Sequence, residues 1–426
     1  MHDLQEERTK MNIDRDQFME QGFLILRNVI PPDKLESMRA GCETILDRRK
    51  AVWAAERGPD DPPGGRHDMD RQPRVFMEEP GLIDEETANV VEDFWVADET
   101  LDIASQLLCN PQPNVTKMMM MCNPVRDWPG GTGWHRDIHP TDMAPMDALA
   151  ADFIENGPRY TQWNVPMYDD SVLWVVPGSH RRRNTERENT EFMKDMAGEY
   201  VVSNERLQNA AEGIPVELNA GDGVIYSNFL LHTGSNYTTK KRRTLHGGHA
   251  IFGQYPEMGF ADSLAPSARE KFESFARRGE EMKDATETAL RAVISRDAAG
   301  YHAALETLQP GAGPHGRTVL TIYLSKAALH IWALKNPGFD VTEESRLRAS
   351  SYHEITLNWG PEFADRFTFD ESKTLWTRFE PLDAMLQADE EMFEPSFQSG
   401  PIRYYFSDLP DGVDVESFIA GWASAG

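Results

Sequence analysis

The middle of this chain is cut into short β-like segments, and that pattern limits the available folds more than any other feature. The pieces cover 160–167, 172–176, 216–218, 224–231 and 244–252, with the turn signals "PGSH" and "NAGDG" between them. Short strands separated by Gly, Pro, Asn and Asp each need a second layer to cover one face, so the spacing predicts a sandwich or jelly roll. The apolar run "NVTKMMMMCNP" after the turn at 110–113 predicts a further buried strand.

Helical patterns flank this core. "DRDQFMEQGFLILRNVIPPDKLESMRAGCETIL" predicts a short helix ended by Gly22, a strand from Phe23 to Leu26, and a second helix opening at Pro31 and Pro32. Proline in a first helical turn costs no hydrogen bond, and Leu35, Met38, Cys42 and Ile45 follow at helical spacing. Residues 58–80 are rich in Pro, Gly, Asp and Arg without periodicity, which predicts a long loop and a candidate lid. A helical pattern returns over 85–108, and beyond about residue 260 the sequence turns helical again. The expected organisation is a mainly β core with α flanks over 1–260 and a mostly helical C-terminal extension over 261–426.

Charge narrows the partners. Seventy acidic against 43 basic side chains leave a formal charge of -27, which repels phosphate backbones and anionic lipid alike. Neither nucleic acid nor a membrane is expected as a partner, since no stretch reaches the roughly 20 apolar residues of a span. The closest approach, 319–334, is interrupted by Lys326 and His330 and predicts a buried helix, which is also a candidate subunit contact in a homo-oligomer. Cys42, Cys109 and Cys122 are odd in number and widely spaced, which argues against a disulfide framework and fits a reducing, cytoplasmic setting.

Chemistry concentrates in "GWHRDIHP" at 133–140. On a strand, His135 and Asp137 point to one face with Cα atoms roughly 6.5 to 7 Å apart, close enough to share one ion. An imidazole and a carboxylate suit iron, zinc or manganese, with a third protein ligand from elsewhere. In "AGDGVIYSNFLLHTGSNYTTKKRRTLHGGHA" an apolar strand ends at His232 and a new one begins near Arg243. A hairpin centred between Tyr237 and Thr238 sets positions 232 and 243 opposite each other. Two His and one carboxylate occupy one face of an octahedral iron and leave room for a bidentate 2-oxo acid and O2. The far carboxylate of 2-oxoglutarate then needs a bidentate cation, a role Arg fills better than Lys, and Arg243 is the expected partner.

His135-x-Asp137, "SVLWVVPGSH" at 171–180, "LNAGDGVIYSNFLLHTGS" at 218–235 and Arg243 together resemble the phytanoyl-CoA dioxygenase family of Fe(II)- and 2-oxoglutarate-dependent oxygenases. The opening "FMEQGFLILRNVIPPDKLESMR" resembles that family's helix, strand and helix, and the resemblance extends over about 14–253. It implies a double-stranded β-helix, a cupin-like jelly roll, that hydroxylates a small organic molecule with release of succinate and CO2. By position it implies His135, Asp137 and His232 as the catalytic iron ligands and Arg243 as the partner of the distal carboxylate. Trp163 matches the family's aromatic residue beside 2-oxoglutarate, and Met118 or Met120 an apolar contact to it. Asp170-Ser171-Val172 stands where the family often carries Asn-Gly. Asp137 favours hydroxylation over halogenation, because related halogenases lack the carboxylate.

Other polar residues receive more ordinary expectations. His139 follows the metal strand and His249 shares the parity of Arg243, which makes both candidate substrate contacts. His180 is expected to make a structural hydrogen bond, and "HRRRNTERE" to be a solvated loop. Two other classes stay open: a jelly-roll metal-binding sensor or scaffold, and a cupin-like isomerase or hydrolase without 2-oxoglutarate turnover. Arg243 and Trp163 speak against both, since neither needs a dicarboxylate clamp.

Overall fold

Antiparallel strands organise the first 250 residues of the computed structural model, which describes residues 13–70, 73–108, 110, 112–123, 134–137, 144–188, 212–234, 241–251, 259–339, 360–386, 391–394, 402–405 and 409–422. In chain order these strands are β1 (Phe23–Leu26), β2 (Arg74–Phe76), β3 (Asn114–Asn123), β4 (Tyr160–Pro166), β5 (Leu173–Val175), β6 (Ile214–Pro215), β7 (Gly223–Ser227), β8 (His232–Gly234) and β9 (Arg242–Ala250). The larger sheet has the order β1-β7-β4-β9-β3-β2, and the smaller one β6-β5-β8. His135 extends the smaller sheet at its β8 edge through an antiparallel bridge to His232. The two sheets form the expected jelly roll, open rather than closed into a barrel.

The two faces of the larger sheet bury against different partners. Val224 and Tyr226 join Leu173, Val175, Val216 and Leu218 in a cluster between the sheets. Ile225, Trp163, Leu245, Met118, Met120 and Cys122 instead join the helix-side core, with Cys42, Ile45 and Phe94. Cross-strand partners lie on one face. Tyr226, Gln162 and Gly248 therefore make one inward-facing row; Val224, Asn164, His246, Met119 and Phe76 make the next.

The amino-terminal flank follows its sequence signals. Helix Arg15–Gln21 is capped by Asp14 and stops at Gly22, whose φ of 85° is left-handed. A Cβ there would also lie 2.5 Å from Nδ1 of His180, so the turn needs glycine twice over. The second helix opens at Leu35 and not at Pro31 and Pro32, which lie in the turn before it; it runs Leu35–Ala55 and covers the outer face of the larger sheet.

Three further expectations change. Residues 58–80 are not simply a loop, because they contain helix Arg66–Met69 and the edge strand β2, whose three residues are too few to display a period. The segment 85–108 divides into a π-turn at Val91–Trp95 and helix Asp98–Leu108. His232 and Arg243 do not face each other across a hairpin: β8 pairs with β5, whereas β9 pairs with β3 and β4. The chain crosses between sheets there, and residues 235–240 lie outside the described set.

Past residue 260 the described residues are mainly helical, with long helices at Pro266–Ser295, Ala298–Leu308, Pro314–Lys335 and Phe369–Met385 and a small hairpin of Glu391–Glu394 with Ile402–Tyr405. Helix Pro314–Lys335 is seated on helix Met146–Asn156. Asn156 Oδ1 accepts from the Gly313 amide at 2.9 Å, Glu155 Oε2 from the His315 amide at 2.9 Å, and Arg159 bridges Asp152 (2.6 Å) to the Gly316 carbonyl (3.1 Å). Tyr323 is buried in that contact, and no described helix is long and apolar enough to cross a membrane.

Candidate metal centre

His135 and His232 meet because their backbones pair reciprocally, each amide donating to the other's carbonyl at 2.9 Å. The bridge sets the rings side by side, with centroids 4.3 Å apart. Two residues on, the Asp137 amide donates to the Asn228 carbonyl at 2.9 Å, which holds the carboxylate on the same side as the imidazoles. Asp137 Oδ1 lies 3.6 Å from His135 Nε2, and Oδ2 lies 3.4 Å from His232 Nε2. One ligand atom from each of the three residues falls within 4.8 Å of the others, the one such cluster of His, Cys, Asp and Glu among the described residues.

The surrounding groups fix which atoms face inward. His232 Nδ1 lies 2.8 Å from the Leu230 carbonyl, which places the proton there and turns the Nε2 lone pair toward Asp137. Gln162 donates to Asp137 Oδ2 at 2.6 Å, and the Tyr226 ring packs edge-on against His232 with centroids 5.2 Å apart. Burial pushes the Asp137 carboxyl upward, but positive charge on the His232 and His135 rings and the Gln162 hydrogen bond outweigh it and hold the group well below the usual carboxylate range. A carboxylate and an imidazole lone pair aimed at each other repel unless a cation lies between them. Two imidazoles and one carboxylate on a single face are the donor set of a non-haem iron site, so these residues fit such an ion.

The sheet sorts the other predicted residues by face. Arg243 points to the helix side, where its guanidinium donates to Glu43 Oε2 at 3.0 and 3.3 Å. Trp163 lies there too, its Nε1 donating to His249 Nδ1 at 3.2 Å and its ring edge-on to Phe94. His249 Nε2 in turn donates to the Trp95 carbonyl at 3.1 Å, so its ring serves the core and not the pocket. Met118 and Met120 pack in the same helix-side cluster. Hence His135, Asp137 and His232 come together, while Arg243, Trp163, Met118, Met120 and His249 are turned away by one residue of strand parity. His139 lies outside the described residues.

The inward positions belong to their neighbours. Arg242 Nε donates to Asp170 Oδ2 at 2.7 Å, and Thr244 Oγ1 donates to the same oxygen at 2.7 Å. Asp170 also accepts from the Val172 amide at 2.8 Å; burial pushes its carboxyl up, and Arg242 with these hydrogen bonds brings it below its usual value. Met121 Sδ accepts from Arg242 at 3.5 Å. His246 is inward as well: its Nδ1 donates to Asn164 Oδ1 at 2.7 Å, and burial depresses its pKa to about 3, so it is neutral.

Of these, Gln162, Asp170 and Arg242 were missed as site residues, although "KRRT" and "YDDS" carried the signal of buried opposite charges. His180, buried with Nε2 at 3.1 Å from the Met19 carbonyl, is structural as expected. Arg182 is held by both oxygens of Glu188 at 2.8 Å, which leaves "HRRRNTERE" a self-paired loop. Arg136, between the two metal-strand residues, points the other way and donates to the carbonyls of Ser179 and Phe229.

A family model described as phytanoyl-CoA dioxygenase matches residues 18–245. A search of curated proteins finds no match. Among solved structures, AviO1 from Streptomyces viridochromogenes shares 21% identity, with 55% of this chain and 92% of that one covered at a TM-score of 0.37. EctD from S. alaskensis, solved with 2-oxoglutarate and 5-hydroxyectoine, shares 14% over 61% of this chain and 83% of that one, at 0.38. The non-heme alpha ketoglutarate dependent epimerase SnoN from nogalamycin biosynthesis shares 17% over 58% and 84%, at 0.36. At such scores these likenesses are noted without weight.

Proposed function

Because the chain belongs to the phytanoyl-CoA dioxygenase family, whose model spans more than half of it, we propose that it is an Fe(II)- and 2-oxoglutarate-dependent hydroxylase of a small organic molecule. His135, Asp137 and His232 would hold the iron, and Arg242 rather than Arg243 would take the distal carboxylate of 2-oxoglutarate. The observation that carries this reading is the convergence of two imidazoles and a carboxylate within 4.8 Å on one inward face. Bound there, iron and 2-oxoglutarate supply the activation of O2 and the oxidative decarboxylation that yields succinate and CO2.

The chain's own groups have definite parts in this. Gln162 fixes the Asp137 carboxylate, so that it presents the same oxygen edge throughout a cycle. Leu230 fixes the tautomer of His232. Asp170 and Thr244 aim the Arg242 guanidinium, whose side chain is only 6% exposed, and that low exposure strengthens its attraction for a carboxylate. Tyr226 closes the wall beside His232 and keeps water from that ring. The division into a β domain over 1–260 and a helical extension over 261–426 belongs to the same proposal; the extension's task is to brace helix Met146–Asn156.

The test is anaerobic addition of Fe(II) and 2-oxoglutarate, followed by absorption spectroscopy and then by oxygen and candidate metabolites. The reading expects a weak visible charge-transfer band, and succinate release coupled to one oxygen gained by the substrate. No band in the wild type would sink it. A band without oxygen transfer to any stimulating molecule would leave the iron site standing and remove hydroxylation. The sensor or scaffold alternative expects metal binding without succinate.

A further inference from the structure

A β-bulge sets a lysine on the wall of the metal pocket. Along β3, Val115 pairs with His249 and Lys117 with Gly248, so Thr116 is an extra residue between two successive partners. On a regular strand, positions two apart share a face; the bulge breaks that rule. Val115 therefore stays in the helix-side core, and Lys117 turns inward with Met119 and Met121.

The inward row containing Lys117 also runs through Gly248, Gln162 and Tyr226. Two of those support the metal ligands directly, since Gln162 donates to Asp137 and Tyr226 packs on His232. Between Lys117 and Gln162 stands Gly248, and the Tyr160 ring occupies the space that its missing side chain leaves. Adjacent strands are about 4.8 Å apart, which puts Lys117 roughly 10 Å from Gln162 along the row. A Cβ at Gly248 would lie 2.3 Å from the Tyr160 ring, so the glycine also lets that ring lean across the same wall.

Lys117 faces this space without a carboxylate partner. Its Nζ lies 5.0 Å over the Phe76 ring, and no carboxylate among the described residues comes within ion-pair distance of it. It is exposed although it stands on the inner face of an interior strand, so solvent reaches that face at this end of the sheet. Of the acidic groups acting on it, Glu78 acts more strongly than Asp137, and burial pushes the Glu78 carboxyl up to about 7. The wall opposite the metal thus offers one available cation, one aromatic face and access from solvent.

We infer that Lys117 anchors an anionic group of the substrate, a carboxylate or a phosphate-type oxyanion, and that Phe76 and Tyr160 flank it. This deepens the oxygenase reading and rests on it. An ammonium is a point charge suited to either oxyanion, whereas a neutral amide of equal shape would gain nothing comparable from it.

The test uses the full chain loaded anaerobically with Fe(II) and 2-oxoglutarate. Acetate, methylphosphonate and the neutral control acetamide are titrated in, with binding followed by calorimetry and the charge-transfer band recorded in the same samples. Saturable binding of at least one anion is expected, with acetamide about tenfold weaker or worse, and the tighter anion identifies the group. Lys117→Met should weaken that anion about tenfold while leaving the band intact, and Lys117→Arg should restore binding. The inference is overturned by an absence of saturable anion binding, by acetamide binding as well as the anions, or by equal anion affinity in wild type and Lys117→Met. Loss of the band in wild type is a separate result, one that strikes the oxygenase reading itself.

Discussion

Exchanging Arg242 and Arg243 in turn separates two adjacent residues that the fold sends to opposite faces. Arg242 is 6% exposed and paired at 2.7 Å with Asp170, itself 7% exposed, on the metal side. Truncating one member of a desolvated, hydrogen-bonded charge pair costs about 2 to 5 kcal/mol of binding, so Arg242→Gln should weaken 2-oxoglutarate by about 30-fold or more. Arg243 pairs with Glu43, which is 30% exposed and also holds Lys241 at 2.6 Å. Arg243 is itself 7% exposed, so Arg243→Gln should cost about 1 to 3 kcal/mol of stability while leaving 2-oxoglutarate affinity within about twofold. The assay is anaerobic titration of 2-oxoglutarate into the Fe(II) protein, read by the visible band, with urea unfolding of each variant to separate stability from affinity. A large loss in Arg243→Gln with none in Arg242→Gln would refute the assignment of faces.

Three further outcomes follow from contacts already described. Gln162→Leu removes the 2.6 Å hydrogen bond to Asp137 and should lower Fe(II) affinity by about 10- to 100-fold in anaerobic competition with a chelator, with little change in melting temperature. Lys326 is paired at 2.6 Å with Asp383, which is 1% exposed, so Lys326→Met should cost about 3 to 5 kcal/mol in urea unfolding, and adding Asp383→Leu should recover most of it. Burial depresses His180 to about 4, and the sign follows from that direction. Above the unfolded value near 6.5 neither state is charged; below it the unfolded chain takes a proton that the native one refuses. Stability should therefore fall from about pH 6.5 toward pH 4, and His180→Asn should remove about 1.4 kcal/mol per pH unit from that slope.

How far the sequence could be read depends on where polarity marks a face. Gly22, the strand from Phe23 to Leu26 and the pieces of the jelly roll announce themselves through turn chemistry and caps, and His135, Asp137 and His232 through ligand type and i, i+2 spacing. Parity failed where both faces are buried. β9 is buried at every residue, and β3 offers Met-Met-Met-Met, identical on both sides. With no polar face to mark orientation, nothing in those strands separates Arg242 from Arg243 or Met119 from Met118, and a one-residue slip exchanges every side chain. The assumed hairpin between His232 and Arg243 supplied the wrong anchor, because the crossover between sheets is a long-range pairing. The bulge at Thr116, which turns Lys117 inward, has no local signal at all.

The most direct test of the centre is anomalous scattering at the iron edge from crystals grown anaerobically with Fe(II). One peak is expected on the inner face, bonded to His135 Nε2, His232 Nε2 and an Asp137 oxygen, and absent from crystals of Asp137→Ala. A peak elsewhere, or an undiminished one in that variant, would contradict the assignment of these three residues as the iron ligands.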